Sequence, residues 1–193
     1  MIRLFAGAAL LSLALAQGER PVLVIVQTTA GDIEIEVDLA HAPATAANFL
    51  EYVDAGLYDD GRFHRTVRPD NQRDKAVKIA VIQGAANEGR RAAFLPPIAL
   101  ERTSITGLRH KDGAVSMARA GVDTATHEFF ICVGDQPELD FGGKRNLDGQ
   151  GFAVFGRVVK GMDVVRRIQE SPARGESLTP VIVITRIRRA PSL

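Results

Sequence analysis

The chain has 193 residues, of which 46% are hydrophobic and 24% charged, with a formal net charge of +1. That length and apolar content suit one globular domain with a small extension and argue against a disordered chain. The near-neutral balance gives no support for nucleic-acid binding, and the one basic cluster, Arg186, Arg188 and Arg189, reads as a solvated strand end.

Taken in chain order, the first segment reads as a leader. Arg3 supplies a positive start, Leu4 to Leu15 is an apolar run, and Ala14-Leu15-Ala16 is a small-x-small cleavage signal. The run is too short for a membrane span, which needs about 20 residues. Residues 1–16 are therefore expected to be a signal peptide, and 17–193 a mature domain that is periplasmic or secreted. No second run of this kind follows, so no stable membrane association is expected after cleavage, and the mature chain is expected to be a monomer.

Val22 to Val26 is apolar and β-branched and reads as a strand. A turn at Thr29-Ala30-Gly31-Asp32 leads into Ile33-Glu34-Ile35-Glu36-Val37-Asp38, whose strict alternation is that of a half-buried antiparallel strand. Pro43 opens a helix in which Ala46, Phe49, Leu50 and Val53 recur at helical spacing, and Gly56 stands just past its end. Further strands are expected at Gly61–Val67, Val77–Gln83, Ala114–Met117, Phe129–Val133, Phe152–Val159 and Val181–Ile187. A second helix begins at Gly161-Met162-Asp163 and buries Val164, Val165 and Ile168. Arg68–Lys75, Gly84–Pro97 and Phe141–Gly151 are polar or rich in Gly, Pro, Asn and Asp and read as loops. About eight short strands without regular intervening helices point to a closed barrel or a sandwich rather than to parallel βαβ units.

Common catalytic signatures are missing from the sequence. There is no Gly-x-Ser-x-Gly elbow, P-loop or His-Glu-x-x-His pair, and His41, His64, His110 and His127 have no zinc-site spacing. No metal and no cofactor are expected. The single cysteine, Cys132, has no internal partner for a disulfide and reads as a small packing residue in a strand.

Three groups of short stretches stand out together. Phe63-His64-Arg65 is followed by Val81-Ile82-Gln83-Gly84; then comes Gly113-Ala114-Val115-Ser116-Met117-Ala118-Arg119-Ala120-Gly121; then Glu128-Phe129-Phe130-Ile131, followed by Phe155-Gly156-Arg157 and Gly161-Met162-Asp163-Val164-Val165. In this order and at these distances they resemble the cyclophilin family of peptidyl-prolyl cis–trans isomerases, especially its secreted bacterial branch. The resemblance runs from Val22 to Ile187. It implies a mainly β fold, a closed eight-stranded antiparallel barrel capped by two α-helices, with a substrate groove on the barrel's outer surface. The partners it implies are proline-containing polypeptides.

By the same resemblance Arg65 and Gln83 are the candidate catalytic residues. Phe130 matches the wall of the proline pocket, and Val81, Ala118, Arg119, Glu128, Leu147 and Phe152 complete the candidate substrate-binding set. Adjacent strand side chains face opposite ways, so Phe129 should point into the barrel, while Cys132 shares the face of Phe130. The chain departs from the family at Ala80-Val81, where Phe-Met is usual, and at Glu128, where Gln is usual. The first change widens the pocket; the second brings a carboxylate towards Arg65. Two readings follow: an active isomerase that assists folding of exported proteins, or a weakly active or inactive peptide-binding module or holdase.

Overall fold

The computed structural model describes residues 21–191, so the leader expected at 1–16 lies outside the described residues. The first two strands, β1 (Val22–Thr28) and β2 (Gly31–Val37), form the expected hairpin, with Val26 opposite Ile33 and Val24 opposite Ile35. All four of these side chains are fully buried, while Glu34 and Glu36 lie outward, as a period of two dictates. Helix α1 (Pro43–Asp54) buries Ala46, Phe49, Leu50 and Val53 and ends at Gly56, which adopts the left-handed φ of +64° that glycine accommodates without strain.

The remaining strands are β3 (Gly61–Val67), β4 (Val81–Ala85), β5 (Ala114–Met117), β6 (Phe129–Cys132), β7 (Ala153–Lys160), β8 (Ala173–Arg174) and β9 (Ser177–Arg189). They pair in the order β1-β2-β7-β5-β6-β4-β3-β9, and β1 also pairs with β9, which closes the sheet on itself. Every pairing is antiparallel. The fold is the closed eight-stranded barrel; β8 is a two-residue addition at the start of β9. Closure leaves the eight strands no free edge.

The further α-helices are the single turn α2 (Thr103–Thr106) and α3 (Met162–Glu170), and two short 3-10 turns lie at Glu88–Ala93 and Pro137–Leu139. Val164, Val165 and Ile168 of α3 join the same interior core as Phe49 and Leu50 of α1. Aromatic rings dominate that interior: Phe49 lies 5.4 Å from Tyr58, 5.6 Å from Phe129 and 4.9 Å from Phe155, measured between ring centroids. Gly84 leaves room for these rings, since a Cβ there would stand 3.0 Å from Phe63 and 3.1 Å from Phe129.

Two strand starts differ from expectation by four residues: β9, expected from Val181, already begins at Ser177, and β4 starts late. The strand predicted from Val77 begins only at Val81. Side chains take the place of the ladder in the preceding stretch: Gln72 bonds both the N–H and the carbonyl of Ile79, and Gln136 Oε1 accepts the Ala80 N–H at 3.1 Å. Apolar residues at Val77 and Ile79 look like strand in sequence, but Ile79 is buried with side-chain partners for its backbone, and only the Ala80 carbonyl meets a backbone N–H, that of Val133 at 2.9 Å.

Candidate functional site

Alternation along β6 divides two adjacent rings between two cores. Phe129 enters the barrel interior, whereas Phe130 belongs to a second cluster on the outside with Val67, Ile79, Val81, Cys132, Leu139 and Val154. Cys132 is fully buried in that cluster, and burial pushes its thiol well above the usual range, so it is a packing residue and not a nucleophile.

A depression of about 270 Å³ opens over this outer cluster. Arg65, Val81, Gln83, Ala118, Arg119, Phe130 and Phe152 line it together, along with Lys75, Ile79, Leu139, Arg145 and Asn146. Strand register brings the polar pair there: Arg65 of β3 stands opposite Gln83 of β4, and Gln83 opposite Phe130 of β6. Phe152 stands edge-on to Phe130, centroids 5.3 Å apart, and forms an adjoining wall.

Arg65 is held on both sides. Its Nη1 donates to Gln83 Oε1 at 2.8 Å, while Nε and Nη2 donate to Glu176 Oε2 at 2.8 and 2.5 Å. Glu128 does not contact Arg65; its carboxylate accepts from Gln83 Nε2, so it acts on the arginine through the amide. The result is a chain Glu176–Arg65–Gln83–Glu128. Of the five N–H groups of a guanidinium, one on Nη1 and one on Nη2 stay uncommitted. Glu176 lies in the β8–β9 turn, and its own carbonyl accepts the Thr66 N–H at 2.8 Å, which seats it beside β3. Nothing in the sequence marks it, because the turn and Arg65 are 111 positions apart.

Leu147 needs correction. It is fully exposed and is not among the residues lining the depression; Leu139, 1% exposed, is there instead. The sequence holds two Leu-Asp pairs, 139–140 and 147–148, and the choice is made by what each aspartate holds. Asp140 accepts from the N–H of His110 at 3.1 Å and faces its Nδ1 at 2.7 Å, anchoring Leu139 under the site. Asp148 forms a two-point ion pair with Arg119 at the rim, at 2.8 and 3.0 Å, and leaves Leu147 facing solvent. That pair holds the Asp148 carboxyl down at about 2.

Arg119 itself is committed to this loop. Its Nε donates to the Gly151 carbonyl at 2.8 Å, and its guanidinium lies 5.2 Å from the Phe152 ring centroid. The Ala118 N–H is taken by the Glu128 carbonyl at 2.8 Å.

Behind Phe130 lies a polar group that sequence reasoning missed. His110 is 1% exposed, its ring stacks on Phe130 at 5.9 Å, and its Nε2 stands 3.0 Å from Ser116 Oγ. Buried Ser116, His110 and Asp140 thus form a closed hydrogen-bonded row with a neutral imidazole at its centre, and Ser116 is fully enclosed beneath the site. Among the described residues, no three His, Cys, Asp or Glu side chains group as a metal site.

These burials predict an acid weakness. Desolvation lowers the pKa of His110, His64 and His127, so the folded chain keeps all three neutral. The unfolded chain takes up their protons near pH 6.5, so below that pH it binds more protons than the native state and stability falls. Asp140, held down by its bonds to His110 against the cost of burial, adds to the loss below about pH 4. The urea midpoint should be steady from pH 8 to about 7 and decline from about 6.5 downwards; a flat profile to pH 5 would contradict the neutral histidines.

The comparisons with known proteins agree with the family and the fold. The family described as cyclophilin type peptidyl-prolyl cis-trans isomerase/CLD matches residues 23–189. Peptidyl-prolyl cis-trans isomerase A of Dickeya dadantii is 37% identical over 150 residues, 76% of this chain and 70% of that protein. Peptidyl-prolyl cis-trans isomerase B of Escherichia coli is 37% identical over 150 residues, 76% of this chain and 84% of that one. Among solved structures, a Cryptosporidium parvum cyclophilin type peptidyl-prolyl cis-trans isomerase superposes with a TM-score of 0.72 at 20% identity, covering 90% of this chain and all of that one. A second structure of that protein, obtained in the presence of the dipeptide Ala-Pro, gives a TM-score of 0.70 at 21% identity over 88% of this chain and 99% of that one.

Proposed function

The chain belongs to the cyclophilin-type peptidyl-prolyl cis–trans isomerases, and from that premise we propose that its groove between Arg65 and Phe130 is where it turns the X–Pro bond of proline-containing polypeptides. Rotation about this bond costs about 18–20 kcal/mol because it destroys amide resonance. A catalyst needs no nucleophile or metal for the step; it must hold the twisted amide better than either planar form.

In the twisted amide the proline nitrogen regains its lone pair and accepts a hydrogen bond. Arg65 offers two uncommitted N–H groups on a guanidinium already oriented by Gln83 and Glu176, so no reorganisation is required when the lone pair appears. Phe130, Phe152, Val81 and Leu139 supply an apolar seat for the pyrrolidine ring. Gln83, fixed between Arg65 and Glu128, positions the arginine. The observation that carries this reading is the shared depression of Arg65, Gln83 and Phe130.

The cellular role follows from the leader pattern at Arg3 and Leu4–Leu15: we assign the mature chain to the periplasm or the exterior, where it assists folding of exported proteins. The test is a protease-coupled assay on a short prolyl peptide with the 17–193 chain. Catalysed cis-to-trans conversion is expected; peptide binding with the spontaneous rate, in tens to hundreds of seconds, would instead mark a holdase.

A further inference from the structure

Four charged residues line the groove, and all are cations: Arg65, Lys75, Arg119 and Arg145. Two of them are neutralised from behind, Arg65 by Glu176 and Arg119 by Asp148. The other two are not. Arg145 and Lys75 make no ion pair among the described residues. Arg145 Nη1 donates only to neutral oxygens, Gln72 Oε1 at 2.8 Å and the Val77 carbonyl at 2.7 Å. Glu128 turns to Gln83 and is not part of the lining.

Arg145 is half-buried, and its charge is held at a cost. Desolvation, then the like charge of Arg65, pulls its pKa below the usual value, and Glu176 only partly offsets them. A carboxylate arriving in the groove relieves that cost, whereas a second cation increases it. Lys75 is exposed on the segment that Gln72 and Arg145 tie down, and it extends the same sign of charge to the mouth.

We propose that Arg145 and Lys75 make this isomerase selective for prolyl segments that carry an acidic residue next to the proline. The inference rests on the groove reading above and adds its substrate class. Charges meeting at a partly buried site in water are worth a factor of roughly 5–10 in kcat/KM. Salt at about 0.5 M, with a Debye length of a few ångströms, removes the share of exposed Lys75 and weakens that of half-buried Arg145 less.

The experiment uses the chain 17–193 with prolyl peptides bearing Glu, Ala or Lys immediately before or immediately after proline. Exchange-spectroscopy NMR reads turnover, and chemical-shift titration reads binding. At one or both positions the Glu peptide should exceed the Lys peptide by about 5–10-fold in kcat/KM at low salt. The ratio should fall in about 0.5 M NaCl, and it should also fall in Lys75→Glu, a substitution at an exposed position. A ratio at or below one at both positions, or a preference untouched by both salt and Lys75→Glu, overturns the proposal. Acid-selective binding without turnover would uphold the proposal and defeat the catalytic role of Arg65. Turnover without selectivity would do the reverse.

Discussion

Arg65→Ala is expected to lower kcat/KM on a prolyl peptide by about 10²–10³-fold, the loss typical of removing one preorganised electrostatic stabiliser. The side chain does two things that alanine cannot. It carries a delocalised positive charge, and it presents N–H groups in a fixed plane. Its Nε and Nη2 bind Glu176 while Nη1 binds Gln83, so the plane of the guanidinium is determined before substrate arrives. For the same reason Arg65→Lys should recover little, because an ammonium cannot meet Glu176 and Gln83 at once while still donating into the groove. Stability should change little in either variant, since the Glu176 side chain is 25% exposed and water can replace its partner. The protease-coupled rate together with a urea midpoint separates the two effects. A wild-type rate in Arg65→Ala would remove the arginine from the mechanism.

Phe49→Ala should have the largest effect on stability, about 3–5 kcal/mol, because it removes a fully buried ring and leaves a cavity the barrel cannot collapse into. Phe49 is the point where α1 meets the interior, in contact with Tyr58, Phe129 and Phe155, which come from three separate parts of the chain. Close packing around a closed sheet limits relaxation. At about 2–4 °C per kcal/mol for a chain of this size, the melting temperature should drop by roughly 6–20 °C. The groove lies on the other face of β6, so the molecules that stay folded should turn over near the wild-type rate. A melting temperature within about 2 °C of wild type would show that this ring is not part of a close-packed core.

The local pattern of residues was sufficient for most of the elements and for part of the site. Alternation in Ile33–Val37 and helical spacing in Ala46–Val53 correspond to β2 and α1, because burial of one face is decided by period alone. The split of Phe129 and Phe130 between inside and outside followed from the same rule. The strand start at Val77 did not, since Gln72 takes both backbone groups of Ile79 and Gln136 takes the N–H of Ala80.

Residue patterning alone read as about eight short strands, closed as a barrel or stacked as a sandwich; the barrel, and the roles of Arg65, Gln83 and Phe130, came with the resemblance of the ordered motifs to the cyclophilins. It took the folded chain to show that Glu176 and not Glu128 grips Arg65, that Leu139 and not Leu147 floors the groove, and that Arg145 faces it without a carboxylate. One cause underlies all three. Side-chain period is a property of a single segment, but an ion pair or a pocket wall depends on which distant segments closure of the sheet brings together.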